Sequence, residues 1–166
     1  LIFLLAMAIS TLACTASSAF AACIGPGTAL FTCTFNAGKK QVNVCLQDNV
    51  VLYSFGPIGR APELLLGRVV QRVGFAPWSG VGRAIWEEMT VSSGEFSYNL
   101  SYSIDRSPEG ELPTGRLSVG RGDSEIADLQ CDVGSVDIHD FYPLFAAKER
   151  AGQQFCLETR QWGAGC

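Results

Sequence analysis

The segment from residue 95 to residue 104 alternates strictly between polar and apolar side chains. Its apolar members are Phe96, Tyr98, Leu100, Tyr102 and Ile104. Because successive side chains of an extended chain point to opposite faces, this pattern predicts a β-strand with one buried face and one face toward solvent. Such strands belong to antiparallel sheets, since parallel sheets are usually covered on both faces. The segment therefore restricts the fold to classes that are built on antiparallel sheets.

Most of the remaining chain divides into short strand candidates separated by glycine, proline, asparagine and aspartate. Further strands are predicted over residues 30–35, 41–46, 50–55, 62–72, 83–92, 115–119 and 125–131. The apolar segment 62–72 is expected to be a more buried strand, and 83–92 has a helical alternative around residues 85–89. The one helical candidate is 140–153. Together these elements predict an all-β fold, an antiparallel sandwich or barrel of hairpins with a short C-terminal helix.

The N-terminal segment predicts export. Residues 1–13 are apolar and uncharged, and small residues follow as far as Ala19-Phe20-Ala21, a pattern that signal peptidase accepts. We therefore predict a signal peptide over residues 1–21 and a single exported β domain over residues 22–166, periplasmic or secreted. The apolar segment is shorter than the roughly 20 residues of a membrane-spanning helix, so no stable membrane insertion is expected. As an alternative, Thr11-Leu12-Ala13-Cys14 is similar to a lipobox, in which a lipidated Cys14 anchors the protein.

The cysteine content predicts a disulfide-containing domain. The chain has seven cysteines, and those that follow the predicted signal peptide are Cys23, Cys33, Cys45, Cys131, Cys156 and Cys166. An even number in an oxidising compartment indicates disulfide bonds. Cys33 and Cys45 flank one predicted hairpin and are the first pair we expect, although strand alternation places them on opposite faces and requires a bulge or a diagonal approach. With no Cys-x-x-Cys motif and one histidine, no metal site and no cofactor are expected.

The charge and the polar residues favour a binding protein over an enzyme. A net charge of −4 argues against nucleic acid and suits a basic protein as partner. His139-Asp140 is better explained by a helix that begins at Asp140, and no Gly-x-Ser-x-Gly nucleophile motif occurs. Carboxylates such as those of Glu87 and Glu88 leave a cell-wall sugar hydrolase as an alternative function. That mechanism requires two carboxyl groups at a defined distance from each other, which the sequence does not show. A structural envelope component is the third hypothesis.

Two loops carry the candidate binding residues. The glycine-rich segment 74–83 contains Trp78 and Arg83, residue types that are favoured in binding surfaces. Its alternative is that Trp78 closes one end of the sandwich. The second loop is the Ser93-Gly94 turn, which opens onto the alternating strand and its Tyr98. Strand alternation places Tyr98 on the apolar face, so it is expected to pack toward the core.

Several short motifs resemble a group of small exported bacterial proteins of unassigned function. The motifs are Cys33-Thr34, Gly38-Lys39, Val42-Asn43-Val44-Cys45, Tyr53-Ser54-Phe55-Gly56, Pro62-Glu63-Leu64 and Gly80-Val81-Gly82-Arg83. The resemblance covers about residues 30–132 and implies export without implying an activity.

More distantly, the chain resembles the bacterial periplasmic lysozyme inhibitors, which are small secreted β proteins. In some of those families a Ser-Gly-x-x-Tyr loop enters the lysozyme cleft. Ser93 and Gly94 match its first two positions, whereas Tyr98 stands five residues after Ser93 and Ser97 occupies the fourth. The resemblance implies an exported, non-catalytic binding protein of the envelope, in which Ser93, Gly94 and Tyr98 contact a basic partner such as lysozyme.

Overall fold

The computed structural model describes residues 23, 25–107 and 110–166, which form mostly β-structure. In chain order the strands are β1 (Thr28–Phe35), β2 (Lys40–Gln47), β3 (Val50–Pro57), β4 (Leu64–Val69), β5 (Gly74–Ala76), β6 (Ala84–Ser93), β7 (Phe96–Asp105), β8 (Thr114–Arg121), β9 (Ser124–Gln130), β10 (Ile138–His139), β11 (Gln154–Cys156) and β12 (Gln161–Gly163). A 3-10 helix spans Val70–Arg72, and α1 spans Tyr142–Arg150. The expected signal peptide and Cys14 lie outside the described residues.

Two five-stranded antiparallel sheets make up the body of the domain. The first sheet has the order β10-β1-β2-β3-β4, and the second has the order β5-β6-β7-β8-β9. A separate hairpin consists of β11 and β12. Neither sheet closes into a barrel, so the all-β prediction is confirmed and the sandwich alternative describes the fold. Within the described ranges, no helix is both long enough and apolar enough to cross a membrane.

The core lies between the inner faces of the two sheets. The first sheet contributes residues such as Phe31, Val44 and Tyr53, and the second contributes Leu100 and Leu117. The alternating segment 95–104 behaves as predicted from Tyr98 to Ile104, whose apolar residues face this core, whereas Phe96 lies beside the turn under the Arg121 guanidinium. Burying one face of each sheet against the other removes apolar surface from water, which is the main force that stabilises such a fold.

The helix is shorter than the predicted range 140–153 at both ends, and its N-cap is Phe141 instead of Asp140. α1 starts at Tyr142, and the Asp140 carboxylate accepts a hydrogen bond from the Tyr142 backbone N–H at 2.9 Å. The side chain thereby satisfies one of the N–H groups that the first turn of a helix leaves free. Phe141 and Leu144 are fully buried and attach this end of the helix to the core.

Residues 62–72 do not form the more buried strand that was expected. β4 covers only Leu64–Val69, pairs with β3 alone, and has exposed residues such as Leu65, whose relative exposure is 53%. The strand lies at the edge of its sheet and its outer face is in contact with solvent, which explains the exposure despite the apolar sequence. Residues 83–92, for which a helix was an alternative, belong to strand β6.

Three disulfide bonds join Cys23 to Cys45, Cys33 to Cys131, and Cys156 to Cys166. The expected pairing of Cys33 with Cys45 is wrong. Cys33 lies opposite Val42 in the β1–β2 ladder, and its side chain points into the core, where Cys131 packs. Cys45 has the opposite parity on β2 and points to the outer face. The alternation of the strand therefore separates the two cysteines even though they belong to one hairpin.

Candidate functional site

The candidate binding residues lie at opposite ends of the second sheet. β6 begins directly after Arg83 and ends at Ser93, and its ten residues span about 30 Å at ~3.3 Å per residue. Ser93 and Gly94 thus belong to one end, which we call the tip end, and Trp78 and Arg83 belong to the other, the groove end. A single compact contact does not include both pairs, so each end is a separate candidate site.

The tip end is formed by the β6–β7 turn. Ser93 pairs with Phe96 across the turn, and Gly94 has a φ of +59°, a conformation that glycine adopts without the cost borne by other residues. The neighbouring β8–β9 turn supports it: the Gly122 N–H donates to the Glu95 carbonyl at 2.9 Å, and Arg121 forms an ion pair with Glu95 at 2.9 Å. Two adjacent turns thereby hold each other in place.

A positively charged cleft of about 700 Å³ lies beside this turn. It is lined by Gly67, Arg68, Val69, Arg72, Ser92 and Gly94. Arg68 is held between the two sheets, because its Nε donates to the Ser92 carbonyl at 2.7 Å and its Nη1 donates to the Gly67 carbonyl at 2.7 Å. Arg72 is exposed and has no ion pair with any other described residue. The cleft therefore presents two guanidinium groups without a carboxylate partner.

Tyr98 does not belong to the tip. Its side chain is half-buried on the inner face of β7, and its ring centroid lies 5.4 Å from that of Tyr53. Burial, and to a smaller extent the neighbouring Tyr98, raise the pKa of Tyr53 well above its ordinary value. Tyr98 accordingly packs toward the core, as strand alternation predicts.

The groove end contains an aromatic groove of about 540 Å³. Its lining comes from three parts of the chain: Pro77, Trp78 and Ser79 precede β6, Phe145 lies on α1, and Phe155, Leu157 and Arg160 belong to the β11–β12 hairpin. Trp78 is partly exposed, and its Nε1 donates to the Val81 carbonyl at 3.2 Å, which folds the loop back on itself. The Trp78 side chain therefore lines a groove at this end of the second sheet.

Arg83 lies near this groove but is committed to an ion pair. Its guanidinium is 3.0 Å from the Asp105 carboxylate, and its side chain is 74% exposed. The hydrogen bond from Arg83 lowers the pKa of Asp105 below its ordinary value. Because the pair joins the residue before β6 to the last residue of β7, Arg83 holds the loop in place, and it does not line the groove.

The carboxylates of β6 do not form a pair. Glu87 and Glu88 point to opposite faces of the strand. Glu87 accepts the Tyr102 hydroxyl at 2.7 Å and the backbone N–H groups of Phe141 and Trp78, whereas Glu88 accepts from Asn99 at 2.6 Å. Burial raises the pKa of Glu87, and its hydrogen bonds oppose that effect. Glu87 therefore fastens the Trp78 loop and the start of α1 to the second sheet.

The His139-Asp140 motif also has a structural explanation. The His139 ring packs edge-on against Tyr102 at 5.3 Å between centroids, while the Asp140 carboxylate accepts the Tyr142 N–H at the start of α1. The Nδ1 atom of His139 is buried and has no hydrogen-bond partner among the described residues. In residues 23, 25–107 and 110–166, no group of three or more histidine, cysteine, aspartate or glutamate residues is arranged to hold a metal ion.

The sequence reasoning missed Arg68, Arg72, Phe155, Leu157 and Arg160. The strands of the β11–β12 hairpin have three residues each, too few to show a periodic pattern. The one available signal was the closely spaced pair Cys156 and Cys166, which encloses the segment that contributes Leu157 and Arg160.

No protein-family model, curated protein or solved structure matches the chain.

Proposed function

We propose that this chain is an exported, non-catalytic binding protein that inhibits a lysozyme by placing its β6–β7 turn in the cleft of the enzyme. The proposal is carried by one observation: the β6–β7 turn, held by Gly122 and Arg121, contributes Gly94 to a cleft with two arginines that have no carboxylate partner among the described residues. The periplasm or the cell surroundings is the compartment in which such a protein meets lysozyme.

The chemistry of the tip end suits a cleft that contains carboxylates. Lysozymes cleave glycosidic bonds with two carboxyl groups that face the substrate. The hydroxyl of Ser93 and the guanidinium of Arg72 are donors that carboxylates accept, and a planar guanidinium binds a carboxylate through two parallel hydrogen bonds. Because the turn is already held by Gly122 and Arg121, little conformational entropy is lost when it binds.

The overall charge acts at longer range. With a net charge of −4, the chain attracts a basic enzyme and raises the rate of encounter, while the local positive charge of Arg68 and Arg72 aligns the tip with the acidic cleft. The net negative charge acts while the two proteins approach, and the two arginines act once they are in contact, so the effects do not oppose each other.

The polar clusters of the second sheet support a non-catalytic protein. Glu87 accepts three hydrogen bonds, and Glu88 lies on the other face of β6, so this pair does not provide an acid and a base across one cleft. We therefore propose binding without catalysis, which replaces the sugar-hydrolase alternative.

The test is an inhibition assay with the purified, disulfide-bonded protein against representatives of each lysozyme class. We expect the wild-type protein to slow at least one class at micromolar excess. Arg72→Ala and Ser93→Ala should each weaken inhibition by about tenfold, as truncation of a central contact does. Arg60→Ala is the matched control, because Arg60 is an exposed arginine at the other end of the first sheet. Absence of inhibition for every class would refute the proposal.

A further inference from the structure

The aromatic groove continues onto the outer face of the second sheet through a single side chain. Arg160 lines the groove beside Trp78, and its guanidinium also lies over the Trp86 ring, 5.7 Å from the centroid. Trp86, with a relative exposure of 37%, lines a trough of about 320 Å³ on that outer face. Groove and trough together form one elongated surface, with Arg160 at the junction, and each has a volume typical of ligand sites, about 300–1,000 Å³.

The trough offers hydrogen-bonding groups that the protein does not use. Its floor contains the hydroxyls of Ser101 and Ser103 on β7 and, on the side away from Trp86, the amide of Gln130 on β9. These three side chains make no hydrogen bond to any other described residue. Each hydroxyl both donates and accepts, and the amide provides two donors and one acceptor. A ligand with several hydroxyl groups is the natural complement of such a surface.

The two tryptophans add the second requirement of sugar recognition. A pyranose ring has a face of C–H groups that packs against the electron-rich face of an aromatic ring. Trp78 lines the groove with the Arg106 guanidinium over its ring at 5.5 Å, and Trp86 lines the trough with Arg160 over its ring at 5.7 Å, so a sugar would pack on the other face of each indole. The combination of indole rings with free hydroxyl and amide groups therefore matches an oligosaccharide along the length of the surface.

The same surface is poorly suited to an extended peptide. Peptides that add to a sheet use the free backbone groups of an edge strand. The floor of the trough is formed by β7 and β8, which pair on both sides, β7 with β6 and β8, and β8 with β7 and β9. Their backbone groups are thus already paired, and only side chains remain to bind a ligand.

The trough's own charged residues are already engaged: Glu88 accepts a hydrogen bond from Asn99, and Arg116 forms ion pairs with Glu125 and Asp128. Arg160 is exposed and forms no ion pair with another residue of the described part of the chain. We propose that groove and trough together bind an oligosaccharide that carries a carboxylate group, with the carboxylate at Arg160 and sugar rings against Trp78 and Trp86. This site lies at the other end of β6 from the tip, so it is independent of the proposed inhibition.

Binding is tested by calorimetric titration of the disulfide-bonded protein with two acidic probes. The probes are a galacturonic acid tetrasaccharide and a tetrasaccharide of N-acetylglucosamine and N-acetylmuramic acid, each compared with its neutral methyl ester. We expect the wild-type protein to bind at least one acidic probe, with a change in tryptophan fluorescence, and to bind the ester about tenfold more weakly. If neither acidic probe binds, the proposal is overturned, whatever the lysozyme assay shows.

Variants then locate the site. Trp86→Ala and the double substitution of Ser101 and Ser103 by alanine should each weaken binding by at least about tenfold. Arg160→Gln should remove the difference between an acidic probe and its ester. Ser118→Ala, on the same outer face but outside the trough, is the matched control and should change nothing. If Trp86→Ala binds the acidic probe as well as the wild-type protein does, the proposal is overturned. It is also overturned if an apolar peptide acid binds and the serine substitutions leave that binding unchanged.

Discussion

The ammonium group of Lys148 on α1 donates a hydrogen bond of 2.6 Å to the backbone carbonyl of Val73. A second bond of 2.8 Å goes to the carbonyl of Val70, and the group lies 5.1 Å from the centroid of the Trp162 ring. The side chain is only 1% exposed. Lys148 therefore joins the helix to the 3-10 turn between the two sheets, with carbonyl groups and an aromatic ring in place of a carboxylate.

Lys148 should make the stability of the domain depend on pH. Burial lowers its pKa from 10.5 to about 8, so between pH 8 and 10.5 the unfolded chain binds more protons than the folded one. Stability should therefore rise across this interval, by up to about 3 kcal/mol at 1.36 kcal/mol per pKa unit. Above pH 10 the rise is offset, because tyrosines ionise in the unfolded chain while burial keeps Tyr53 and Tyr102 protonated.

Urea unfolding at pH 7.5, 9 and 10 measures this effect. In Lys148→Met the rise between pH 8 and 10 should disappear, because the titrating group has been removed. Lys39→Met, at an exposed lysine in the β1–β2 turn, should retain it. Equal pH dependence in the two variants would mean that Lys148 titrates normally.

The three disulfide bonds should contribute unequally to stability. Cys33 and Cys131 are separated by 98 residues and join β1 to the end of β9 through the core, whereas Cys156 and Cys166 are separated by 10 residues at the periphery. In the chain-entropy model a loop of 100 residues corresponds to about 4.7 kcal/mol and a loop of 15 residues to about 3. Replacing Cys33 and Cys131 by alanine should therefore lower the melting temperature more than replacing Cys156 and Cys166. The reverse order would show that loop length does not control the effect.

Gly115 should tolerate no side chain. A Cβ atom at this position would lie 2.6 Å from the Cys131 Sγ and 2.9 Å from the Val136 Cγ2, inside the packed core. Gly115→Ala should destabilise the domain by about 1–3 kcal/mol, as overpacking does. Gly165→Ala, where no atom lies within 4 Å, is the control and should be neutral in the same chemical denaturation experiment. A neutral Gly115→Ala would indicate that the disulfide region adjusts freely.

Substitutions of Tyr98 distinguish a role in the stability of the domain from a role in contact with lysozyme. Because its ring packs on Tyr53, Tyr98→Ala should destabilise the domain by about 3 kcal/mol, whereas Tyr98→Phe should be close to neutral. Lysozyme inhibition per folded molecule should remain unchanged in both variants. A melting point that stays intact while inhibition is lost would instead assign Tyr98 to the contact surface.

Local periodicity was sufficient to predict most of the strands and the residues on the inner face of β7. The positions of Leu100 and Tyr102 in the core follow from alternation, since the geometry of an extended chain alone sends every second side chain to the same face. Likewise Asp140 indicates the start of α1 to within two residues, because its carboxylate accepts the backbone N–H of Tyr142, although the N-cap itself is Phe141. The position of Gly94 in a tight turn could be predicted because a turn likewise depends on residues that are neighbours in the sequence.

The tertiary structure decided which distant residues meet. Cys33 pairs with Cys131 because sheet packing brings the end of β9 beneath β1, and no pattern within either strand encodes that distance. The groove depends equally on packing, since Trp78, Phe145 and Arg160 come from a loop, a helix and a short hairpin. By itself, the sequence determined strand alternation, turns and the helix start, all of which depend on neighbours within a few residues. The disulfide partners and both candidate sites depend on how two sheets and a hairpin pack together, because that packing alone brings together residues far apart in the chain.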